Sequence, residues 1–394
     1  GNVAIGTQAL EANTTAGNNT AVGADSLKRN TTGTANTAVG RFSLDHNTTA
    51  ESNTAVGYNA LSAVETASNN VGLGREALRD NTTGTQNTAV GAYAMDSSTQ
   101  GSFSTAVGTN ALGANTVGTE NTAIGSQALA VNTTGNSNVA VGRTALDANT
   151  TANNNTAVGY AALGSNTTGT SNTALGQAAA TSVTTANDIV AIGKSACLLN
   201  TTGLGNTAVG ASCIRNNVTG NYNTGMGVNA LTAVTGTGNS AYGAFALDAV
   251  TSGIYNVAIG YAALSANTTA SNNVAIGTSA LFANTTGSSN LAVGDEALLT
   301  STTANNMVAI GRRALKLNTT GSSNTAVGGF TLDANTTGYY NVAIGTDTLG
   351  ANTTGVQNTG LGTFALNQNT TANNNTGVGF KALFTNSTGT QNTS

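Results

Sequence analysis

The sequence predicts an all-β fold, a parallel β-solenoid (β-roll) built from 17-residue coils. Three observations lead to this prediction: a 17-residue repeat runs along the 394 residues, apolar side chains recur at fixed repeat positions, and Gly, Asn and Thr fill much of the rest. Charged residues make up only 7% of the chain, a composition that can indicate disorder. The regular placement of apolar residues favours an ordered repeat instead.

The repeat begins at Asn2 and has the consensus Asn-Thr-Ala-Val-Gly-x-x-Ala-Leu-x-x-Asn-Thr-Thr-Gly-x-x, whose positions we number 1 to 17. One 16-residue step, from Asn223 to Asn239, interrupts the 17-residue spacing near Gly236. We place the missing residue in a turn, because a deletion within a strand would shift its register. The 23 full repeats, and a partial one from Asn392, are interpreted as a single continuous array over residues 1–394, a fragment of a longer fibre protein.

Repeat positions 2 to 4 are predicted to form a short strand. Position 4 is always large and apolar and position 2 is Thr, Val, Ser or Leu, so alternation places both on one strand face. Position 9 is Leu in 19 repeats. We therefore expect positions 4 and 9 to be buried as internal ladders, with an Asn ladder at position 12. Repeats built from helix pairs usually need more than about 30 residues, so a helical solenoid is disfavoured.

Two columns of small residues indicate tight turns. Position 5 is Gly in all 23 repeats, which predicts a positive φ or a backbone contact too close for a Cβ atom. Position 15 is only Gly or Ala, so we expect that site to be limited by size rather than by φ. The structural turn glycines of position 5 include Gly6, Gly23, Gly40, Gly57, Gly159 and Gly345.

Position 3 is Ala in 19 repeats and Gly in the other four, on the strand face opposite position 4. A solvent-facing strand position has no reason to exclude Thr, so this smallness predicts close approach of another surface. That surface is either the opposite wall of a very flat coil or the same column of neighbouring chains around a threefold axis. The second interpretation makes position 3 an oligomer stripe, with Ala21, Ala38, Ala157 and Ala174 as examples.

The motif Asn-Thr-Ala-Val-Gly with a following Ala-Leu resembles the Ala-Ile-Gly repeats of YadA-like trimeric autotransporter adhesin heads. The segments 2–6 and 341–345, both Asn-Val-Ala-Ile-Gly, are the best matches. The array also resembles the repeat regions of bacterial and phage tail-fibre-domain proteins. The resemblance covers the whole chain, although this repeat is longer than that of the adhesin heads. It implies homotrimers, surface exposure and attachment.

No constellation for catalysis, metal binding or cofactor binding is predicted, and we expect a non-enzymatic protein. The single His, His46, lies at variable position 11 and is interpreted as a solvated turn residue. Acidic residues are scattered over distant repeats without a recurring pair. Cys197 and Cys213 occupy the apolar positions 9 and 8, where buried thiols replace Leu and Ala, and a disulfide between neighbouring coils is the alternative.

Position 12 begins an Asn-x-Ser/Thr sequence in 16 repeats, including those of Asn13, Asn30 and Asn132. These are nominal glycosylation sites, although a turn Asn followed by Thr explains them without a sugar. Glycosylation stays open at this point.

The function that these features favour is a structural shaft or adhesive stalk of an extracellular, cell-surface or virion fibre. Expected partners are further copies of the chain, as a homotrimer or filament, and host or surface glycans at a tip outside this segment. No basic patch indicates nucleic acid, and no apolar run reaches the roughly 18 residues of a membrane span. The alternative is a ligand-binding solenoid, including an ice-binding one, or a glycosylated surface solenoid. The Thr pairs at positions 13 and 14 motivate ice binding, but sequence neighbours point to opposite sides of a strand.

Overall fold

The computed structural model describes all 394 residues and contains 23 three-residue β-strands and no helix. The strands are parallel and repeat every coil, which confirms the predicted all-β solenoid of 17-residue coils. The chain divides into two compact units, Gly1–Thr202 and Gly203–Ser394. Each unit is a stack of coils in which one parallel sheet is formed by repeat positions 2 to 4.

The first unit contains β1 (Val3–Ile5), β2 (Thr20–Val22), β3 (Thr37–Val39), β4 (Thr54–Val56), β5 (Val71–Leu73), β6 (Thr88–Val90), β7 (Thr105–Val107), β8 (Thr122–Ile124), β9 (Val139–Val141), β10 (Thr156–Val158), β11 (Thr173–Leu175) and β12 (Val190–Ile192). The second unit contains β13 (Thr207–Val209), β14 (Thr224–Met226), β15 (Ser240–Tyr242), β16 (Val257–Ile259), β17 (Val274–Ile276), β18 (Leu291–Val293), β19 (Val308–Ile310), β20 (Thr325–Val327), β21 (Val342–Ile344), β22 (Thr359–Leu361) and β23 (Thr376–Val378).

Each strand residue pairs with the same repeat position of the next coil, as where Ala21 lies beside Ala38. The 16-residue step leaves this register intact, because Thr224 still pairs with Ser240. Asn223 donates to the carbonyl of Gly236, the bond that position 1 makes to position 15 in other coils. The missing residue is therefore position 14 of an exposed turn, and the prediction that a turn absorbs the deletion is confirmed.

The strands turn position 3 inward and positions 2 and 4 outward. The prediction that position 4 is buried is therefore wrong, whereas the prediction for Leu at position 9 is confirmed. The reason is the thinness of the coil. A Cβ atom on Gly72, at position 3, would lie 3.1 Å from Cγ of Leu61 and 3.1 Å from the carbonyl oxygen of Ala77. Leu from the opposite wall fills the interior, and only Ala or Gly fits against it.

The small residues of position 3 therefore line the interior of each coil. The side chains proposed as an oligomer stripe are at most 1% exposed, which overturns the interpretation that they contact a neighbouring chain; these are Ala21, Ala38, Ala157 and Ala174. Of the two interpretations left open by the sequence, the flat coil is the correct one. At two of the four Gly residues of position 3, a Cβ atom would meet an enlarged side chain at position 8 of the preceding coil, Cys213 for Gly225 and Thr348 for Gly360.

Two columns of buried Asn tie the coils together. At position 1, the Asn36 backbone N–H donates to Oδ1 of Asn19 (2.9 Å), and Nδ2 of Asn36 donates to the carbonyl of Ala50 (2.8 Å). At position 12, Nδ2 of Asn47 donates to Oδ1 of Asn30 (2.7 Å) and to the same Ala50 carbonyl (3.2 Å). The predicted ladder at position 12 is confirmed. The position 1 ladder was not predicted, although Asn in 20 of 23 repeats was a usable signal.

Position 5 needs glycine for both of the expected reasons. The six glycines named from the sequence, Gly6, Gly23, Gly40, Gly57, Gly159 and Gly345, have φ between 130° and 141°. A Cβ atom on Gly159 would also lie 2.5 Å from the carbonyl oxygen of Gly176 in the next coil. Position 15 lacks a positive φ in most coils and is limited by the backbone of the next coil, as expected.

The Leu at position 9 adopts a left-handed backbone conformation that the sequence did not predict. Its φ is 47° at Leu27, 51° at Leu61 and 50° at Leu163. This conformation costs an ordinary residue about 1–2 kcal/mol, whereas burying a Leu side chain contributes about 1.5–3 kcal/mol. Burial outweighs local preference, so Leu is retained at a turn position that would otherwise favour Gly or Asn.

Candidate interaction surfaces

The outward side chains of positions 2 and 4 form what we call the strand face. Position 4 contains only Val, Ile, Leu, Met and Tyr, and position 2 only Thr, Val, Ser and Leu. Exposure at position 4 reaches 47% at Leu175 among the inner coils, and it is 60% at Ile5 and 57% at Val378 in the first and last full coils. Parallel sheets are normally covered on both faces. Here the inner face packs against Leu, and the outer face of each unit is an uncharged, largely apolar column that no other part of that unit covers.

Two edges border the strand face. We call positions 16 and 17, which precede the strand, the leading rim, and positions 6 and 7, which follow it, the trailing rim. The aromatic residues of the chain concentrate there: 14 of the 17 lie on a rim. The leading rim has Phe103, Tyr222, Tyr255, Tyr339 and Tyr340, and the trailing rim has Phe42, Tyr58, Tyr93, Tyr160, Phe245, Tyr261, Phe330, Phe364 and Phe380.

Charges are sorted by column as well. All 12 Lys and Arg residues lie at positions 6, 7, 10 or 11, so the leading rim contains no cation. Its charged residues are three exposed acids of the first unit, Glu51, Glu120 and Asp188. On the trailing rim, cations lie over aromatic rings, as where the Arg41 guanidinium is 4.4 Å from the centre of the Phe42 ring.

Two clusters of ion pairs lie on the segment from position 6 to position 11. In the first unit, Arg79 contacts Glu76 (2.7 Å), Asp80 (2.8 Å) and Asp96 (3.6 Å). The hydrogen bond with Asp80 is the largest cause that raises the pKa of Arg79. Burial raises the pKa of Asp96, and the nearby Arg79 charge only partly offsets that effect. These contacts neutralise charge within the chain.

In the second unit, the Glu296 carboxylate accepts hydrogen bonds from Lys316 and Arg313, both at 2.8 Å. These two hydrogen bonds lower the pKa of Glu296 to about 2. A shallow pocket of about 250 Å³ lies beside them, lined by Arg313, Lys316, Leu317, Asp333 and Ala334. Burial raises the pKa of Asp333. The pocket's cations are already bound to Glu296.

No group of His, Cys, Asp and Glu side chains is arranged to hold a metal ion. His46 is a partly exposed turn residue whose Nδ1 lies 2.7 Å from Asp45 Oδ1 and 3.0 Å from the Ser62 carbonyl. Cys197 and Cys213 are both buried in the apolar columns where the sequence placed them. Burial raises the pKa of Cys213 to about 12, so its thiol stays protonated.

The position 12 side chains are built into the fold rather than presented for glycosylation. Asn30 and Asn132 are fully buried. Nδ2 of Asn30, the atom that would carry a glycan, donates to Oδ1 of Asn13 (3.2 Å) and to the carbonyl of Gly33 (3.0 Å). Nδ2 of Asn13 donates to the Ala16 carbonyl (3.2 Å). A glycan on Asn30 or Asn132 is incompatible with this packing, so the turn interpretation is the correct one for both.

The Thr columns at positions 13 and 14 do not form one flat surface. The half-buried Thr31 hydroxyl donates to the Thr48 carbonyl (3.0 Å) along the coil stack, whereas Thr32 is exposed. The only outward columns that share a strand face are positions 2 and 4.

No protein-family model matches the chain, and a comparison with curated proteins found no match either. The structure contains no helix long and apolar enough to cross a membrane.

Proposed function

We propose that this chain is a structural shaft that self-associates through its strand face, within an extracellular, cell-surface or virion fibre. The observation that carries the proposal is the outward apolar column at position 4, which continues through every coil of each unit. Soluble monomers rarely expose a contiguous apolar surface of this extent. A covering partner explains why Val and Ile recur on the outside of a chain with so few charges.

The size of the surface supports a stable interface. In the first unit, twelve three-residue strands at about 4.8 Å spacing and about 3.3 Å per residue give a strand face of roughly 570 Å². The residues that border it on both sides extend this surface towards the roughly 800 Å² that each partner contributes to a typical stable complex. A second copy is the natural occupant, because the repeat spacing of its strand face is identical. Matching columns of Val and Ile pack only when their spacings agree along the whole contact.

A homotrimer is the assembly that the resemblance to adhesin-head and tail-fibre repeats supports. Three strand faces around a common axis would remove three apolar columns from water together. In this proposal the oligomer forms through positions 2 and 4, in place of position 3. Attachment, surface glycans as the ligand of a tip, and an extracellular location belong to the same proposal and rest on the same resemblance.

The test is the mass of the purified chain in solution, measured by analytical ultracentrifugation. Val158→Lys combined with Leu175→Lys places two charges in adjacent coils of the strand face. Thr168→Lys combined with Thr185→Lys, at exposed position 14 of the same coils, is the matched control. We expect an oligomeric wild type and control and a folded, monomeric strand-face variant. A wild type that stays monomeric at about 10 µM, or a strand-face variant of unchanged mass, would overturn the proposal.

Ice binding is the second candidate, and the strand face is the observation that favours it. Thr at position 2 and Val or Ile at position 4 form an uncharged array whose columns repeat at about 4.8 Å. The two functions require opposite states of the same surface, free for ice and covered in a fibre. Thermal hysteresis measured on a monomeric wild-type chain would favour ice binding, and no hysteresis in any fraction would eliminate it.

A further inference from the structure

We propose that the two rims of the strand face pair between copies, with the leading rim of one copy against the trailing rim of the next. The copies then run parallel, with equivalent coils side by side. This inference rests on the proposed self-association and adds how neighbouring copies are oriented and aligned. It is carried by the distribution of charges and aromatic rings over the two rims.

The trailing rim of the first unit is the cationic one. It carries Arg41, Arg75, Arg143 and Lys194. Its acids, Asp25 and Glu76, already have partners within the chain, because Asp25 pairs with Lys28 (3.1 Å) and Glu76 with Arg79 (2.7 Å).

The charged residues of the leading rim in the same unit are all acidic, namely Glu51, Glu120 and Asp188. All three are exposed, as are the cations Arg41 and Lys194 of the other rim. None of these five groups forms an ion pair within the chain. Each rim therefore presents charge of one sign that the chain itself leaves unpaired.

The symmetry of assembly decides which rims meet. Copies related by rotation about an axis parallel to the coil stack bring the leading rim of one against the trailing rim of its neighbour, a heterologous contact that closes into a ring. Copies related by a twofold axis perpendicular to the stack bring like rims together. Unlike rims attract and like rims repel, so the charges favour the parallel arrangement.

The position of the charges along the stack also selects the register. Arg41 and Glu51 lie in the same coil, residues 36–52. Asp188 and Lys194 lie at the two ends of strand β12. In parallel copies without an axial shift, Glu51 and Asp188 are offset along the stack by no more than one coil spacing, about 4.8 Å, from Arg41 and Lys194 of the neighbour. A shift by several coils would leave both pairs unmatched.

The second unit repeats the arrangement with aromatic residues in place of charges. Tyr255 and Tyr261 lie at the two ends of strand β16, on opposite rims. Phe330 and Tyr340 lie in one coil, again on opposite rims. Unshifted parallel copies bring each of these rings close to a ring of the neighbour, and aromatic pairs add to the stability of an interface beyond the area they bury. The same alignment therefore satisfies both units.

The first test reverses the rim charges. Arg41→Glu with Lys194→Glu places two acids opposite Glu51 and Asp188 of the neighbouring copy, and Glu51→Lys with Asp188→Lys places two cations opposite Arg41 and Lys194. We expect each pair of substitutions to raise the concentration for half-association about tenfold at low salt, and less at high salt. The variant that carries all four substitutions has complementary rims again and should associate as the wild type does. If all three variants associate like the wild type, the rim pairing is wrong while the strand-face association stands.

The second test measures proximity directly. Chains with Arg41→Cys are mixed and reassembled with chains carrying Glu51→Cys, then treated with a short bis-maleimide. We expect cross-links between the two kinds of chain and few between like chains. Thr49→Cys, at exposed position 14 of the same coil, replaces Glu51→Cys as the control and should not cross-link. Predominant cross-links between two Arg41→Cys chains would overturn the parallel arrangement, and a monomeric wild type would overturn the proposed function itself.

Discussion

Ala157 and Val158 are neighbours in strand β10, and they differ in a way that inverts the usual relation between size and burial. The smaller side chain, Ala157, is completely buried, and the larger, Val158, faces outward and is partly exposed. The interior is thin because Leu from the opposite wall already fills it, so volume at position 3 is limited. The strand face has no such limit. A column of large apolar residues can therefore lie outside a repeat protein when a partner covers it.

The largest expected effect comes from a charge on the inner column. Ala157→Lys would force an ammonium group into a space that holds one methyl group and offers no acid partner, at a cost of about 3–5 kcal/mol. Val158→Lys, one residue later, should cost less than about 1 kcal/mol in a monomer because its side chain reaches water. Denaturant unfolding of both variants measures the contrast. Similar destabilisation by the two would contradict the assignment of inner and outer columns.

The Gly159→Val substitution should be nearly as severe. At φ 134° a β-branched residue is strained, and its Cβ atom would meet the carbonyl oxygen of Gly176. Strain alone contributes on the order of 1–3 kcal/mol, and the contact with a backbone atom adds to it. The melting temperature should fall well below that of a Val substitution at exposed Thr168, which serves as the control. If both variants lower the melting temperature by the same small amount, position 5 tolerates a side chain.

Removing one Asn side chain from the position 1 ladder should lower the free energy of unfolding by about 2 kcal/mol. In Asn155→Ala, the Asn172 backbone N–H loses its acceptor (3.0 Å) and the Gly169 carbonyl loses a donor (2.9 Å), both in buried surroundings. Asn155→Met should be milder, because the native Met307 occupies this position and its sulfur lies 3.5 Å from the Asn324 backbone nitrogen. Urea unfolding should rank the wild type first, the Met variant second and the Ala variant last. The reverse order of the two variants would show that volume, rather than hydrogen bonding, matters at this position.

Substitutions at the contact between Gly225 and Cys213 should have a smaller and more specific effect on stability. A Cβ atom on Gly225 would lie 2.5 Å from Sγ of Cys213, so Gly225→Ala should destabilise the second unit by about 1–3 kcal/mol. Adding Cys213→Ala makes room and should recover part of that loss, with a coupling energy of about 1 kcal/mol. A double-mutant cycle in urea measures the coupling, and strictly additive effects would show that the two walls do not touch.

The sequence was sufficient to predict the coil length, the parallel register, the burial of Leu at position 9 and the need for glycine at position 5. It did not decide which side of the strand faces inward, because alternation shows only that positions 2 and 4 share a face. Because Val and Ile are usually buried, position 4 was wrongly predicted to face the interior. The decisive signal was the strict smallness of position 3 together with Leu supplying the interior volume from position 9. The positive φ of Leu163 was beyond a sequence argument, since Leu rarely adopts it and only packing stabilises it there.

The rims were not recognised from the sequence for a related reason. The sorting of charges into columns is visible once the repeat is numbered, since Arg41 and Lys194 share position 6. Its meaning depends on knowing that the strand between the two rims turns its large residues outward. Only then do positions 16 and 17 become one edge of an exposed surface, and positions 6 and 7 the other.

The smallest expected effect belongs to Gly169→Ala at position 15. Its Cβ atom would come close to the carbonyl oxygen of Ala186, the same kind of backbone contact that makes position 5 intolerant. Two differences favour tolerance: φ at Gly169 is not in the left-handed region, and eight other coils already carry Ala at this position, among them those of Ala152 and Ala186. Because those coils accommodate the methyl group, we expect a cost below about 1 kcal/mol, partly offset by the lower entropy of the unfolded chain. Thermal unfolding beside Gly159→Val measures the difference. If the two variants lose equal stability, close packing alone governs both glycine columns and the positive φ of position 5 contributes nothing.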